Sequence, residues 1–216
     1  MKITKLVHSC LLVEMPAPVD RTVLFDPGAM SVEALEVGKL EFLDDIVITH
    51  RHEDHVDVGL LKELIAKFPD VRITTTPEVV EKLAAEAINA NTTMPDGMVL
   101  FDSPHEEVRP AFPQPQEIGV HYLDVLSVPG DSHSFKETKA ILALPVTGPW
   151  GATVRAINLA LELKPQHIIP IHDWHWRDEA RQMMYDMMEK TFAEQGITFH
   201  KMVTSQPVVI DLDVLQ

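Results

Sequence analysis

Cysteine is nearly absent: Cys10 is the only one in 216 residues. No intrachain disulfide can form, and a reducing cytoplasm is the expected compartment. Long apolar runs are missing as well. Nothing approaches the roughly 18 or more residues a membrane-spanning helix needs, so no membrane partner is expected. The opening stretch MKITKLVHSCLLVEM sets two lysines before an apolar patch, but His8 and Ser9 interrupt it and Glu14 follows. With no small-residue cleavage site, it reads as a β-strand rather than a signal peptide. Basic residues are scarce: 18 Lys and Arg against 33 Asp and Glu leave a net charge of −15. A surface this acidic repels nucleic-acid backbones, which are held mainly by Lys and Arg, so nucleic acid is not an expected partner. Internal repeats and low-complexity tracts are also lacking.

What remains is a globular composition, 45 % hydrophobic. The length fits one domain, or two tightly merged halves, with a sizeable core, and we take 1–216 as a single domain. Short strands and helices alternate, which points to an α/β fold. TVLFD is a strand ending at Pro27-Gly28, and DDIVIT is a buried strand, because Ile46, Val47 and Ile48 run together without polar alternation. DVGLLKELIAKF is a helix that Asp57 is placed to cap. VRITTT is a strand, and Pro77 opens the helix PEVVEKLAAEA. The middle holds β-rich pieces and a proline-rich loop at 109–117. AILALPV is a strand, GATVRAINLALELK a helix and HIIPIHD a strand. RDEARQMMYDMMEKTFAEQ is a helix stopped at Gly196; TFHKMV and PVVIDLDV are closing strands.

The junctions between strands and loops repeatedly carry His or Asp. In VITHRHEDHVD, His50, His52, Asp54 and His55 follow a buried strand directly. In an extended chain His50, His52 and Asp54 lean to one side and His55 to the other. One cation gripped by all four is awkward. Two are easier, with His50 and His52 on the first and Asp54 and His55 on the second. Imidazole and carboxylate suit zinc, and also manganese or iron. Further ligands must come from elsewhere. His172 ends HIIPIHD, Asp131 lies in SVPGD and His105 in LFDSPHE, each just past a strand. His121 sits inside the strand-like GVHYLDV, and His167 and His200 read as structural. His8 is open between a site residue and a strand histidine. Trp150 and Trp174 flank these loops and are candidates to line a substrate pocket, whereas the MMYDMM run reads as core.

THRHEDH resembles the His-x-His-x-Asp-His signature of the metallo-β-lactamase-fold superfamily. The later HE, PGDS and PIHDW follow in that family's order, and LFDPG matches its early strand ending in Asp. HSCLLVE, PGDS and LPVTGPW are similar to small single-domain hydrolases related to the ascorbate-6-phosphate lactonase branch. The resemblance implies a four-layer αββα sandwich. It implies two divalent ions, zinc first, with manganese or iron as alternatives. His50, His52 and His105 would hold one ion, Asp54, His55 and His172 the other, and Asp131 would bridge them. His121 is the alternative third histidine, and His133 is preferred as a substrate-binding residue. Ser132 stands where the family commonly has Thr after the bridging Asp.

The implied reaction is hydrolysis of a small ester, lactone, amide or phosphoester by a hydroxide held between the two ions, with Asp54 orienting the water and moving protons. Asp26 and Asp173 are candidates to fix imidazole tautomers. The alternative is iron-dependent redox chemistry resembling the persulfide dioxygenases. Retention of both His52 and His55 favours hydrolysis, because oxygen-reducing di-iron relatives replace some histidines with carboxylates. A nucleic-acid-processing enzyme and a non-catalytic metal scaffold rank lower. The substrate is expected to be a small molecule, and the sequence leaves a homo-oligomer open.

Overall fold

The computed structural model describes residues 1–108 and 113–214. The first four residues of the 109–117 loop lie outside the described residues. The chain divides into two compact units, Met1–Pro95 with Val203–Asp213, and Asp96–Met202.

The first unit holds β1 (Lys2–Lys5), β2 (Leu11–Met15), β3 (Arg21–Phe25), β4 (Asp45–Val47), α1 (Val58–Lys67), β5 (Arg72–Thr74) and α2 (Pro77–Ala84). A late strand, Pro207–Val209, completes its sheet by pairing antiparallel with β1. From that strand the order runs β1-β2-β3-β4-β5. The β1/β2 and β2/β3 pairs are antiparallel; β3/β4 and β4/β5 are parallel. Helices α1 and α2 cover one face, where Leu60, Leu61, Leu64, Val79 and Leu83 pack with Leu12, Leu24, Ile46, Ile48 and Ile73. Both helices start on side-chain caps. The Leu60 amide donates to Asp57 Oδ1 at 2.7 Å, and the Val79 amide donates to the Thr76 hydroxyl at 3.3 Å, one residue before Pro77.

The second unit holds β6 (Met98–Phe101), β7 (Gly119–Tyr122), β8 (Leu126–Val128), β9 (Ile141–Pro145), α3 (Thr153–Leu163), β10 (His167–Ile171), α4 (Asp178–Ala193) and β11 (Thr198–Phe199). Its sheet runs β11-β10-β9-β8-β7-β6. The β11/β10, β10/β9 and β9/β8 pairs are parallel, and the rest are antiparallel. Ala156, Leu159 and Ala160 of α3 and Tyr185, Met188 and Phe192 of α4 pack with Leu142, Leu144, Ile168 and Phe199. Pro170 lies inside β10 beyond the reach of two-residue β11, which pairs only with His167 and Ile168. Its missing N–H therefore breaks no ladder bond there. The late Pro207–Val209 strand is β12 in chain order.

The fold is thus α/β, with two mixed six-stranded sheets, each flanked by two helices. Some element readings need correction. The stretch 2–15 is two strands, because the chain reverses at residues 6–10, where Leu6 N–H donates to Cys10 O at 2.9 Å. Leu6, Val7 and Cys10 continue the apolar content of β2 back through the turn, and no glycine or proline marks it. VEALEVGKLEF, residues 32–42, whose Gly38 leaves it ambiguous in sequence, holds a short 3₁₀ turn at Val37–Lys39. The two closing stretches shrink to the short β11 and β12.

Candidate metal centre

Within the first unit, the parallel strands β3 and β4 end beside each other, and their next residues carry the polar cluster. Loops beyond the carboxyl ends of parallel strands are where α/β sheets place their sites. Asp26, just past β3, is fully buried. It accepts the Thr49 amide at 2.7 Å, the Thr49 hydroxyl at 2.9 Å and His55 Nδ1–H at 2.8 Å. The Thr49 hydroxyl has one proton and gives it to Asp26. Toward His50 Nδ1, 3.1 Å away, it must then accept. Both imidazoles therefore carry their proton on Nδ1, which leaves the Nε2 lone pair of each for a ligand.

The stretch 50–55 is a turn, not extended chain. His55 consequently does not point away from His50; the two ring centroids are 4.0 Å apart. His50 Nε2 and His52 Nδ1 approach to 3.0 Å. Two nitrogens on one tetrahedral zinc, each at about 2.0–2.1 Å, would be about 3.3 Å apart, so this pair fits a shared ion. His8 Nε2 lies 3.0 Å from Asp54 Oδ2, and its ring meets that of His55 edge-on at 5.3 Å. Gly28 is required by close approach: a Cβ there would sit 1.8 Å from the Asp54 carbonyl oxygen. Ala29 N–H to Glu53 O at 2.8 Å and Asp57 N–H to Pro27 O at 2.9 Å tie the Pro27-Gly28 corner onto the histidine turn.

Within the second unit the candidates stand on separate loops. Asp131 follows β8, Trp150 follows β9 and His172 follows β10; His105 lies in the loop beyond β6. Asp131 Oδ1 is 2.5 Å from His172 Nε2, and Asp131 Oδ2 is 3.8 Å from His105 Nε2. His105 Nδ1 faces the Glu106 carbonyl at 2.6 Å, and a carbonyl only accepts, so the proton is on Nδ1 and Nε2 offers a lone pair. Glu106 joins two of these loops. Its amide donates to Asp131 O at 2.9 Å, and its carboxylate accepts from the His133 amide at 2.9 Å, the Ser134 hydroxyl at 2.7 Å and both ends of the Arg155 guanidinium at 2.9 and 3.1 Å. Burial alone would raise the Glu106 carboxyl, but Ser134, the His133 amide and Arg155 together hold it below the usual carboxylate range.

His121 is engaged away from Asp131: its Nδ1 meets Ser127 Oγ at 2.9 Å and its ring stacks on Phe101 at 4.2 Å. His133 sends Nε2–H to Pro145 O at 2.6 Å, and burial holds its pKa below the ordinary value. Trp150 donates its indole N–H to Asp131 Oδ2 at 3.0 Å. Trp174 is about half exposed at 46 %, and its ring lies edge-on to that of His175 with centroids 5.7 Å apart. Asp173 is bonded to the Tyr185 hydroxyl and lies 3.0 Å from Arg181 Nε. His167 and His200 pair with each other at 3.1 Å between β10 and the end of β11. Cys10 is buried and its thiol pushed up by burial, which disfavours a nucleophilic thiolate.

Sequence reasoning missed the Glu106–Arg155 fork and Thr49; adjacency to His105 and His50 was the available signal. Three residues of these clusters, His8, Asp26 and His172, have left-handed backbones, with φ of 61°, 46° and 66°. Strain of about 1–3 kcal/mol each is tolerated where surroundings over-determine it, typically at functional sites.

Known proteins resemble this chain along most of its length. The model of the beta-lactamase superfamily domain family matches residues 2–172. Protein Rv0786c of Mycobacterium tuberculosis is 28% identical over 202 residues, 86% of this chain and 90% of its own. A UPF0173 metal-dependent hydrolase of Pyrococcus furiosus is 25% identical over 201 residues, 82% of this chain and 86% of its own. Among solved structures, Igni18, a novel metallo hydrolase from Ignicoccus hospitalis, superposes with a TM-score of 0.71 at 18% identity, covering 98% of both chains. The metallo-beta-lactamase fold protein YhfI from Bacillus subtilis superposes with a TM-score of 0.67 at 14% identity, covering 96% of this chain and 98% of its own. At these identities the structures speak to the fold alone.

Proposed function

The chain belongs to the beta-lactamase superfamily domain family, and from that premise we infer that it is a metal-dependent hydrolase of a small ester, lactone, amide or phosphoester. The observation that carries this reading is the proton arrangement on the histidines. His50, His55 and His105 each give Nδ1–H to an oxygen acceptor of the protein, leaving Nε2 with a lone pair. Such orientation by a neighbouring acceptor is the usual support of a metal-ligating imidazole. Histidine and carboxylate donors of this kind suit zinc, manganese or iron.

His50, His52 and His105 would hold one ion, Asp54, His55 and His172 would hold the other, and Asp131 would serve both. Bound ions of this kind supply Lewis acidity and a water that ionises near neutral pH. The chain's own groups do the rest. Asp26 and Thr49 lock the tautomers of His50 and His55. Asp54, less buried than His50 and His55 and 3.0 Å from His8, would hold and move the proton of the attacking water. His133 and Trp174 would face substrate. Among the described residues no helix is long and apolar enough to cross a membrane.

Metal analysis coupled to a hydrolysis screen of wild type and Asp54→Ala tests this reading. About two ions per chain are expected, with activity reduced about 100-fold or more in the variant. Unchanged activity in Asp54→Ala removes its assigned role. Iron in freshly purified protein together with oxygen uptake would favour redox chemistry instead.

A further inference from the structure

The loop after β9 is more constrained than a pocket lining needs to be. Gly148 and Gly151 exchange backbone hydrogen bonds of 3.0 and 3.2 Å, closing a four-residue turn with Pro149 and Trp150 at its tip. A Cβ on Gly151 would lie 2.8 Å from His133 Cε1 and 2.9 Å from Nδ1, so the turn seats against that ring only because the residue is glycine. His133 is fixed in turn by its bond to Pro145 O, on the last residue of the strand that launches the turn. The indole of Trp150 folds back between His133 and His172, with centroids 5.0 and 5.2 Å away and edge-on geometry at 74° and 61°. Its N–H ends 3.0 Å from Asp131 Oδ2.

We propose that Trp150 is a positioning residue whose indole N–H fixes the rotation of the Asp131 carboxylate, so that its two oxygens serve two different ligand positions. This rests on the metal-centre reading above and deepens it. An indole N–H can only donate, so it takes one lone pair of Oδ2 and leaves the others for a cation. Asp131 Oδ1 faces His172 while Oδ2 is the oxygen nearer His105. Glu117 grips the Asp131 backbone N–H at 3.0 Å, a contact to the main chain and not to the carboxylate. The indole acts on the carboxylate itself. Phenylalanine at 150 would keep an aromatic ring between His133 and His172 and lose the donor, together with part of the indole's volume.

Zinc affinity measured by competition with a chromophoric chelator tests this in wild type, Trp150→Phe and Trp174→Phe. Wild type and Trp174→Phe should bind alike. Trp150→Phe should bind at least one ion about 10–100-fold more weakly, the usual cost of removing a group that orients a ligand, with little change in the melting temperature of the metal-free protein. Equal affinity in Trp150→Phe overturns the proposal and leaves Trp150 a packing or substrate-facing residue. Wild type that binds no zinc refutes the metal-centre reading itself, a different result. If Trp150→Phe does not fold, the wild-type indole resonances decide, with Trp150 identified by elimination using Trp174→Phe and Trp176→Phe. Its N–H signal should exchange slowly with water and shift on zinc addition; a signal that zinc leaves unmoved overturns the proposal.

Discussion

The two units assemble chemically similar groups by opposite routes. In the first, His50, His52, Asp54 and His55 arrive within one turn of chain, and Asp26 joins them from the end of the adjacent strand. In the second, His105, Asp131, Trp150 and His172 arrive on four separate loops and are tied together by Glu106, Arg155 and an indole. Dense local sequence needs only a single buried acceptor to orient it. Dispersed sequence needs cross-braces, because each loop must be held against the others. The first unit should accordingly fail at single buried contacts, and the second should degrade piecemeal.

The largest effect is expected from Asp26→Ala. It strands the buried Thr49 amide and hydroxyl and the His55 Nδ1–H, and should lower stability by about 4 kcal/mol in urea unfolding, as loss of a charged acceptor by several donors does. Gly28→Ala comes next. The new methyl meets the Asp54 carbonyl, and overpacking against backbone should cost about 3 kcal/mol and reduce zinc content.

In these same two variants the cooperativity of the chain can be read. All three tryptophans, Trp150, Trp174 and Trp176, belong to the second unit. We propose that residues 1–216 fold as one domain. The indole fluorescence transition should then shift together with the far-UV dichroism transition when Asp26 or Gly28 is changed. Fluorescence that ignores those substitutions would make the units separate folding domains.

Glu106→Gln is expected to cost less, about 1 kcal/mol, since Arg155 is half exposed and screening discounts the pair. The sign of its pH dependence is fixed. The folded-state pKa lies below the ordinary 4.5. The carboxylate therefore contributes fully above that value, and its contribution disappears as pH falls through the lowered folded value. Acid titration of stability should show this loss in wild type and not in Glu106→Gln. His121→Gln should change least: zinc content stays at the wild-type level, because His121 is committed to Ser127 and Phe101. Loss of zinc in that variant would reinstate His121 as the third histidine in place of His105.

Much of the fold was legible because its determinants are local. Asp57 and Thr76-Pro77 fix two helix starts through their own side chains, and the unbroken apolar runs of β4, β9 and β10 are buried throughout or nearly so. The turn at residues 6–10 was hidden because LVHSC carries Leu6, Val7 and Cys10 and no glycine or proline to mark a reversal. The orientation of His55 stayed open in sequence, since side-chain alternation holds only while the chain is extended and residues 50–55 turn. His8 could not be placed from sequence, and the approach of its Nε2 to Asp54 depends on a left-handed backbone at His8.

By itself, the sequence determined the α/β class, the helix caps and the density of imidazole and carboxylate at strand ends, all properties carried within a few residues of chain. Tertiary structure alone decided which nitrogen of His50 and His55 keeps its proton, that Glu106 and Arg155 brace the loops of the second unit, and that Trp150 turns its N–H onto Asp131. These depend on groups tens of residues apart being brought within hydrogen-bond distance. Strand pairing makes that choice, and no short stretch of sequence records it.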